Sequence, residues 1–247
     1  ERGSIFVYKF LFLNDTKAQA SWSKWTFDGE IIGADFINSM LYLVINRGNN
    51  TYLEKLPINY NTKDYQNEPY RIMLDRKQKV TLRGVYNSAL GEVKYDMRAL
   101  YGDDYSEPRE YCMILPNGLM YSGLDVISLV NQETDIGVPY EFKFVYSPFY
   151  IKQSSQTGTD TIPNDRLQLC FLLINYADTG EFQVDVASIG KTTRSYKMTA
   201  RTVGTRSNKL GVHPLETGEF KVPLMGRNTD VTVTVRNNSP LPSAFNS

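Results

Sequence analysis

Short stretches in which apolar and polar residues alternate follow one another along the first part of the chain. The stretches with this alternation, each ended by polar or turn-forming residues, are 5–13, 20–27, 31–36, 40–46 and 51–56. A period of two residues is typical of β-strands that bury one face, and Asp28-Gly29 is a common hairpin turn. Short strands at near-regular spacing predict a β-meander over residues 1–57, and a meander of this length has the form of one propeller blade.

A change of pattern divides this meander from the rest of the chain. Residues 58–70 carry Asn, Asp, Gln and Pro with little periodicity, which predicts a linker over 58–78. Strand-like alternation then resumes over 79–85, 111–115, 119–121, 140–146, 167–175, 181–186, 195–203, 218–223 and 229–236. Residues 125–131 fit a short helix or a strand equally well, and 152–165, rich in Ser, Thr, Gln and Gly, are expected to form a loop. The chain is therefore predicted to be all-β with few short helices, and 79–247 to form a second, β-sandwich or barrel-like domain.

The composition is that of a globular chain. Of the 247 residues, 41% are hydrophobic and 13% aromatic, which is enough for a packed core. The formal net charge is zero, so no overall basic field favours nucleic acid, and little repulsion opposes assembly. The longest apolar runs, 40–45 and 170–174, fall far short of the roughly 20 residues of a membrane helix. Because the chain begins at Glu1 without a signal-peptide pattern, we expect it to be an excerpt of a longer protein.

The two cysteines, Cys112 and Cys170, each lie in an apolar stretch. Neither belongs to a CxxC or another metal-ligand spacing, and nothing supports a disulfide between them. Because a free cysteine packs as a small apolar side chain, both are predicted to be buried free thiols.

The sequence offers little for catalysis or metal binding. His213 is the sole histidine and no nucleophile motif accompanies it, so a loop histidine is favoured over a catalytic triad member or a zinc ligand. Residues 102–107 contain Asp103, Asp104 and Glu107, but they match neither a calcium loop nor a glycosidase carboxylate pair. For these residues a solvated turn is favoured over a cation-binding turn, and a catalytic site is the least favoured interpretation. No phosphate-binding glycine loop occurs, so we predict no enzymatic activity, no cofactor and no metal.

Residues 191–209 form a basic segment with six cations and no acid. The cations are Lys191, Arg194, Lys197, Arg201, Arg206 and Lys209. Arg194 and Lys197 stand on opposite faces of a strand, so the positive charges are divided between the two sides. One interpretation is a solvated hairpin edge that discourages strand addition. The other is a surface that faces a partner protein or nucleic-acid phosphates.

Both tryptophans of the chain lie in the stretch SWSKWTF. In a strand, Trp25 and Phe27 share one face, whereas Trp22 points to the other face with Lys24. One indole is therefore expected in the core and the other nearer the surface. A sugar-binding platform needs both rings on one side, so the alternation favours Trp22 and Trp25 as a structural aromatic pair.

Three groups of residues, taken in order, resemble the C-terminal part of one known family. The first group is FVYKF (6–10), QASWSKW (19–25) and LYLVINR (41–47); the second is GVPYEFKFVYS (137–147) and NYADTGEF (175–182); the third is PLETGEFKVPLMGRNTDV (214–231) and NSPLP (238–242). In order and spacing they resemble the tail nozzle proteins of short-tailed bacteriophages, also called tail tubular protein B. The resemblance runs over nearly the whole chain.

The resemblance implies a structural role in the virion. Members of the family are expected to form a sixfold homo-oligomeric ring below the adaptor, or gatekeeper, ring of the tail. The ring encloses the channel through which the genome is ejected, with no sequence-specific DNA binding, and tail fibres dock on its outside. Residues 1–57 then correspond to the last part of a propeller, with Trp25 in the blade core and Trp22 packed against a neighbouring element or subunit. The basic segment is expected to face a partner subunit or fibre rather than the channel.

Two other functions fit parts of the sequence. A receptor- or polysaccharide-binding tail module fits the aromatic content and the tryptophan pair. An enzyme that degrades cell-surface glycans could use Asp103, Asp104 or Glu107, although no convincing carboxylate pair supports it.

Overall fold

Nearly all regular structure in the protein is β-strand. The computed structural model describes residues 2–13, 16–58, 70–80, 85–89, 91–102, 110–115, 120–123, 126–128, 134–155, 158–162, 165–200 and 213–246. One five-residue helix, α1 (Met97–Tyr101), accompanies the strands in these ranges. The all-β prediction is confirmed. Within the described ranges, no helix has the length and apolarity needed to cross a bilayer.

The described residues divide into two compact units. The first draws on Glu1–Gln66 and Asp96–Glu107, and the second on Asn67–Tyr95 and Pro108–Ser247. Of the predicted linker, residues 59–69 lie outside the described residues, whereas Tyr70 is buried in a core of the second unit. The division into 1–57, 58–78 and 79–247 stays a prediction.

The first unit contains a hairpin and a three-stranded antiparallel sheet. The hairpin is β1 (Ser4–Leu13) with β2 (Thr16–Thr26), and the sheet is β3 (Glu30–Ile37), β4 (Met40–Arg47) and β5 (Asn50–Pro57) in that order. Alternate residues of β4, namely Leu41, Leu43 and Ile45, form the buried core. The turn Asn38-Ser39 has φ of 50° and 63°. Two positive φ values in a two-residue loop are the geometry whose twist suits a hairpin.

Seven short strands form the first part of the second unit. They are β6 (Asp75–Val80), β7 (Val85–Asn87), β8 (Glu92–Tyr95), β9 (Tyr111–Ile114), β10 (Met120–Gly123), β11 (Val126–Ser128) and β12 (Thr134–Val138). They pair in the orders β10-β9-β12-β6 and β11-β8-β7. Cys112 and Ile114 of β9 pack with Tyr70, Ile72 and Leu241. Of the two structures allowed for 125–131, the strand is the one found, over the three residues of β11.

Two sheets in the rest of this unit share one hydrophobic core. The strands are β13 (Phe142–Val145), β14 (Ile151–Ser155), β15 (Gly158–Ile162), β16 (Gln168–Thr179), β17 (Glu181–Ser188), β18 (Arg194–Thr199), β19 (Glu216–Arg227), β20 (Val231–Asn237) and β21 (Ala244–Asn246). The sheets β13-β20-β17-β18 and β19-β16-β21 contribute alternate apolar side chains, such as Phe182, Val233 and Val222, each with no exposed surface. Alternation of apolar residues along β17, β19 and β20 explains why this core is visible in the sequence.

Two predictions about this unit are wrong. Residues 152–165 were expected to form a loop, but β14 and β15 pair as an antiparallel hairpin from Ile151↔Ile162 to Ser155↔Gly158. Thr suits a pleated strand, and this preference outweighs the loop-like composition. Cys112 is buried as predicted, but Cys170 is exposed. Cys170 lies where the register between β16 and β19 shifts, so the bulge turns its side chain away from the core.

Candidate interaction surfaces

An exposed row of aromatic rings covers one face of the β1–β2 hairpin. We call this surface the aromatic face; it consists of Phe6, Tyr8, Phe10, Phe12 and Trp22. Trp22 lies directly opposite Tyr8, with ring centroids 4.6 Å apart. The centroids of Tyr8 and Phe10, and those of Phe10 and Phe12, are each 5.6 Å apart. The rings of Trp22, Tyr8, Phe10 and Phe12 therefore contact one another in sequence along the hairpin, and Phe6 lies under the Lys24 ammonium, 5.9 Å from the ring centroid.

The opposite face of the same hairpin packs inward. Ile5, Trp25 and Phe27 contact the core formed by Leu41, Leu43 and Ile45. Trp25 is thus partly buried, whereas Trp22 keeps 71% of its surface exposed. The two indoles lie on opposite faces of β2, as their spacing requires.

The aromatic face is comparable in area to the largest apolar patch of a typical monomer. Its side chains are 37–71% exposed, which at about 200 Å² per ring amounts to roughly 570 Å² of aromatic surface. A contiguous apolar patch of this size is typical of a contact surface. The tryptophan pair was predicted from the sequence, but the exposed rings of β1 were not. The available signal was an aromatic residue at every second position from 6 to 12.

Two of the described cations in the basic segment have partners within the protein. The Arg194 guanidinium, on the inner side of β18, donates a hydrogen bond to the carbonyl oxygen of Leu224 at 2.5 Å. Lys197, on the outer side, places its ammonium 2.8 Å from the Glu181 carboxylate. Lys191 is exposed in the turn after β17. The other three cations, Arg201, Arg206 and Lys209, lie outside the described residues.

A polar cluster lies beside Lys197 on the outer face of the same sheet. Asp185 accepts hydrogen bonds from Ser195 Oγ and Gln183 Nε2, each at 2.7 Å, and its second oxygen is 3.0 Å from Arg236 Nε. Burial alone would raise the pKa of Asp185, but the bonds from Ser195 and Gln183 and the charge of Arg236 together hold it below its ordinary value. Arg236 also contacts Glu141 at 3.3 Å. With its charges paired in this way, the cluster stabilises the sheet.

The candidate residues for catalysis or metal binding in the sequence are His213 and three carboxylates. No group of three His, Cys, Asp or Glu side chains able to hold a metal occurs among them. His213 lies between strands as expected for a loop histidine, but it is buried, with Nδ1 2.8 Å from the Pro214 carbonyl oxygen. A carbonyl only accepts, so this contact requires a proton on Nδ1. The carboxylates Asp103, Asp104 and Glu107 lie outside the described ranges.

Comparisons with known proteins agree with the resemblance in the sequence. Residues 1–247 match the family model of the bacteriophage nozzle protein. The chain is also similar to the tail tubular protein gp12 of Escherichia phage T7, with 28% identity over 259 residues. That alignment covers 96% of this chain and 32% of the T7 protein, so the chain spans about a third of that relative. Because the family model covers the whole chain, the protein belongs to the bacteriophage nozzle protein family.

Proposed function

We propose that the chain is part of a structural protein of a short phage tail, located in the virion, which forms the nozzle through which the genome is ejected. The observation that carries this proposal is the match of the nozzle family model to residues 1–247. The tail tubular protein of phage T7 supports it, since similarity runs over 96% of this chain. The family match does not favour a receptor-binding module or a glycan-degrading enzyme.

The proposed assembly is a sixfold ring of identical subunits that joins the adaptor ring of the tail and carries the tail fibres. Genome DNA passes through its channel without sequence-specific contacts. The charge balance suits a conduit, since 27 basic and 27 acidic residues leave no net positive field to retain DNA. Each phosphate that a channel neutralises adds salt-dependent affinity and slows release.

The proposed domain organisation follows the family. Residues 1–57 are the last part of a propeller, 58–78 a linker, and 79–247 a sandwich-like platform. In this arrangement the aromatic face is a contact surface of the assembly, with Trp22 packed against a neighbouring element or subunit. Its exposed rings support this role, because surface of this kind is stable in water mainly when another surface covers it.

The basic segment is proposed to contact a partner subunit or a fibre rather than the channel. Arg194 is bonded to Leu224 of the facing sheet, and Lys197 is paired with Glu181 of its own sheet. Lys191 is exposed and is proposed to supply charge for this contact; Arg201, Arg206 and Lys209, which lie outside the described residues, complete the proposed segment. Exposed positive charges of this kind speed the encounter with a complementary acidic surface more than they raise the affinity of the complex.

The first experiment is mass photometry with negative-stain imaging of the full-length tail protein that carries this chain, alone and with its adaptor ring. A sixfold ring with an open axial hole is the expected result. A monomer or trimer under all conditions would contradict the nozzle proposal. Binding to a glycan array, lost on Trp22→Ala, would then support a receptor-binding module instead.

A further inference from the structure

The second unit contains two separate hydrophobic cores. We call the described residues of 70–95 and 110–138 the short-strand half, and those of 139–246 the sandwich half. The core of the short-strand half includes Tyr70, Ile72, Cys112 and Ile114. All described members of the sandwich core lie between Tyr146 and Phe245. Because the cores are separate, one half can open while the other stays folded.

One buried leucine of the sandwich half packs in the core of the short-strand half. Leu241 follows β20 in the chain, yet its side chain has no exposed surface and packs with Cys112 of β9. It also lies against Gly180, where an added Cβ would come within 2.7 Å of Leu241 Cβ. Leu215 is only partly buried in this core, and the His213 ring lies beside it. Among these described residues of the sandwich half, Leu241 is therefore the fully buried apolar contact.

A network around one asparagine fixes the loop that carries Leu241. Asn237 Nδ2 donates hydrogen bonds to the Leu241 carbonyl oxygen at 2.9 Å and to Ser243 Oγ at 2.6 Å. Asn237 Oδ1 accepts two hydrogen bonds from Ser239, one from its backbone N–H and one from its hydroxyl, each at 2.8 Å. Because Asn237 is buried, loss of a partner would leave a polar atom unsatisfied. The network therefore favours the loop conformation that buries Leu241.

The main chain of the same loop is bonded to both halves. The Pro240 carbonyl oxygen accepts a hydrogen bond from Met73 N–H of the short-strand half at 2.8 Å. The Pro242 carbonyl oxygen accepts one from Gly180 N–H of the sandwich half at 2.9 Å. Proline fixes φ at both positions, which limits the other conformations open to the loop. The loop thus joins the halves by one buried side chain and by main-chain hydrogen bonds.

We propose that residues 237–243 are a latch that keeps the two halves of the second unit closed on each other. Release of Leu241 opens the core around Cys112, whereas the sandwich half stays folded, because Leu241 is not a member of the sandwich core. The latch is therefore the place at which the second unit changes shape most readily. This inference does not rest on the nozzle proposal or on the aromatic face.

The test uses the 247-residue chain with Cys170→Ser, which leaves Cys112 as the sole thiol. Because Cys112 packs with Leu241, its rate of labelling by a chromogenic disulfide reagent reports opening of the short-strand core. Leu241→Ala is expected to raise this rate at least about thirtyfold, since it removes the buried contact and leaves a cavity. Amide hydrogen exchange of residues 182–186 in β17, followed by mass spectrometry, should change by less than about twofold.

A milder variant and a matched control complete the test. Ser239→Ala keeps Leu241 but removes the hydroxyl that donates to Asn237, and should raise Cys112 labelling about fivefold. Leu173→Ala removes a leucine that is 47% exposed on the outer face of β16 and should leave both rates unchanged.

Two results would overturn the proposal. The first is unchanged labelling of Cys112 in both latch variants. The second is exchange of residues 182–186 that rises in step with the labelling, since the two halves would then open as one. If Leu241→Ala does not fold, Ser239→Ala decides between these outcomes on its own.

Discussion

Tyr8 and Trp22 face each other across the β1–β2 hairpin with ring centroids 4.6 Å apart, yet 71% of the Trp22 surface is exposed. Trp25, three residues further along the same strand, packs against the core of the first unit instead. The two indoles therefore differ in what they support. Trp22 belongs to the exposed aromatic face, whereas Trp25 holds the hairpin to its sheet.

Replacing each tryptophan should separate these roles. Trp25→Ala is expected to lower the free energy of unfolding by about 2–3 kcal/mol, because it leaves a cavity beside Leu43 and Ile45. Trp22→Ala should lower it by less than about 1 kcal/mol, since the indole rests mainly on Tyr8. Urea unfolding of both variants, monitored by circular dichroism, measures the difference. Equal losses would show that Trp22 is part of the core.

The aromatic face should matter for assembly more than for folding. Phe10→Ser with Trp22→Ser, made in the full-length protein, is expected to shift the ring toward free subunits by at least about tenfold in dissociation constant. The reason is the loss of two large apolar contacts at the centre of the patch. Mass photometry across a concentration series reports the shift. As a matched control, Ile189→Ser removes an apolar side chain that is 77% exposed in a turn of the second unit. If both variants assemble like the unchanged protein, the aromatic face is not a subunit contact.

Much of the fold could be predicted from period-two alternation, and the parts that could not have local causes. Strand β4 was visible as the short apolar run 40–45 bounded by turn residues, whereas the alternating burial of Leu41, Leu43 and Ile45 within it appears only in the structure. The β14–β15 hairpin was missed, since Thr and Ser serve loops and exposed strands equally. Cys170 was misplaced because a bulge changes the inward alternation without any sequence mark.

The surfaces were harder to predict than the core. The aromatic alternation in β1 resembles an ordinary buried strand, and only the structure shows that rings such as Phe6, at 66%, are exposed. The basic segment looked like a patch of free charge, but the partners of Arg194 and Lys197 come from residues distant in the sequence. Contacts between neighbouring strands, as for Lys197, or between facing sheets, as for Arg194, have no local signal in the sequence.

Acidification should weaken the sheet at Asp185. The folded-state pKa of this carboxyl lies below its ordinary value, so its charge stabilises the fold above the unfolded-state pKa of about 4. That contribution is lost as the pH falls through the lower folded-state pKa.

Asp185→Asn is expected to lower the free energy of unfolding by about 1–2 kcal/mol at pH 7, through the lost charge near Arg236. The cost should shrink as the pH falls below the unfolded-state pKa of about 4 and through the lower folded-state pKa. Urea midpoints measured from pH 7 to 2 test this, and Asp178→Asn controls for loss of an exposed carboxylate. A cost independent of pH would contradict the assigned charge interaction.

The two thiols should react at different rates. Cys170 is exposed, whereas Cys112 is buried. Burial raises the pKa of the Cys112 thiol, and the charge of Glu110 adds to this against a hydrogen bond from Ser122. Because the thiolate is the reactive form, Cys112 should react at least about tenfold more slowly with a chromogenic disulfide reagent at pH 8. Cys170→Ser should remove the fast phase and Cys112→Ser the slow one. Two fast thiols in the folded chain would place β9 at the surface.

Charge reversal in the basic segment should separate effects on contact with a partner from effects on folding stability. Lys191→Glu is expected to leave the free energy of unfolding within about 0.5 kcal/mol, because the side chain is exposed in a turn. The same change, combined with Arg206→Glu and Lys209→Glu, should weaken assembly with the subunit or fibre that faces the segment, and raising the salt concentration should reduce the difference. Arg194→Glu, in contrast, should destabilise the sheet by about 2 kcal/mol or more, since it removes the donor to Leu224 and puts a carboxylate in its place. Light scattering of assembly and a DNA-release assay on reconstituted particles give the two readouts. Unchanged assembly with altered DNA release would place the segment on the channel instead of on a partner.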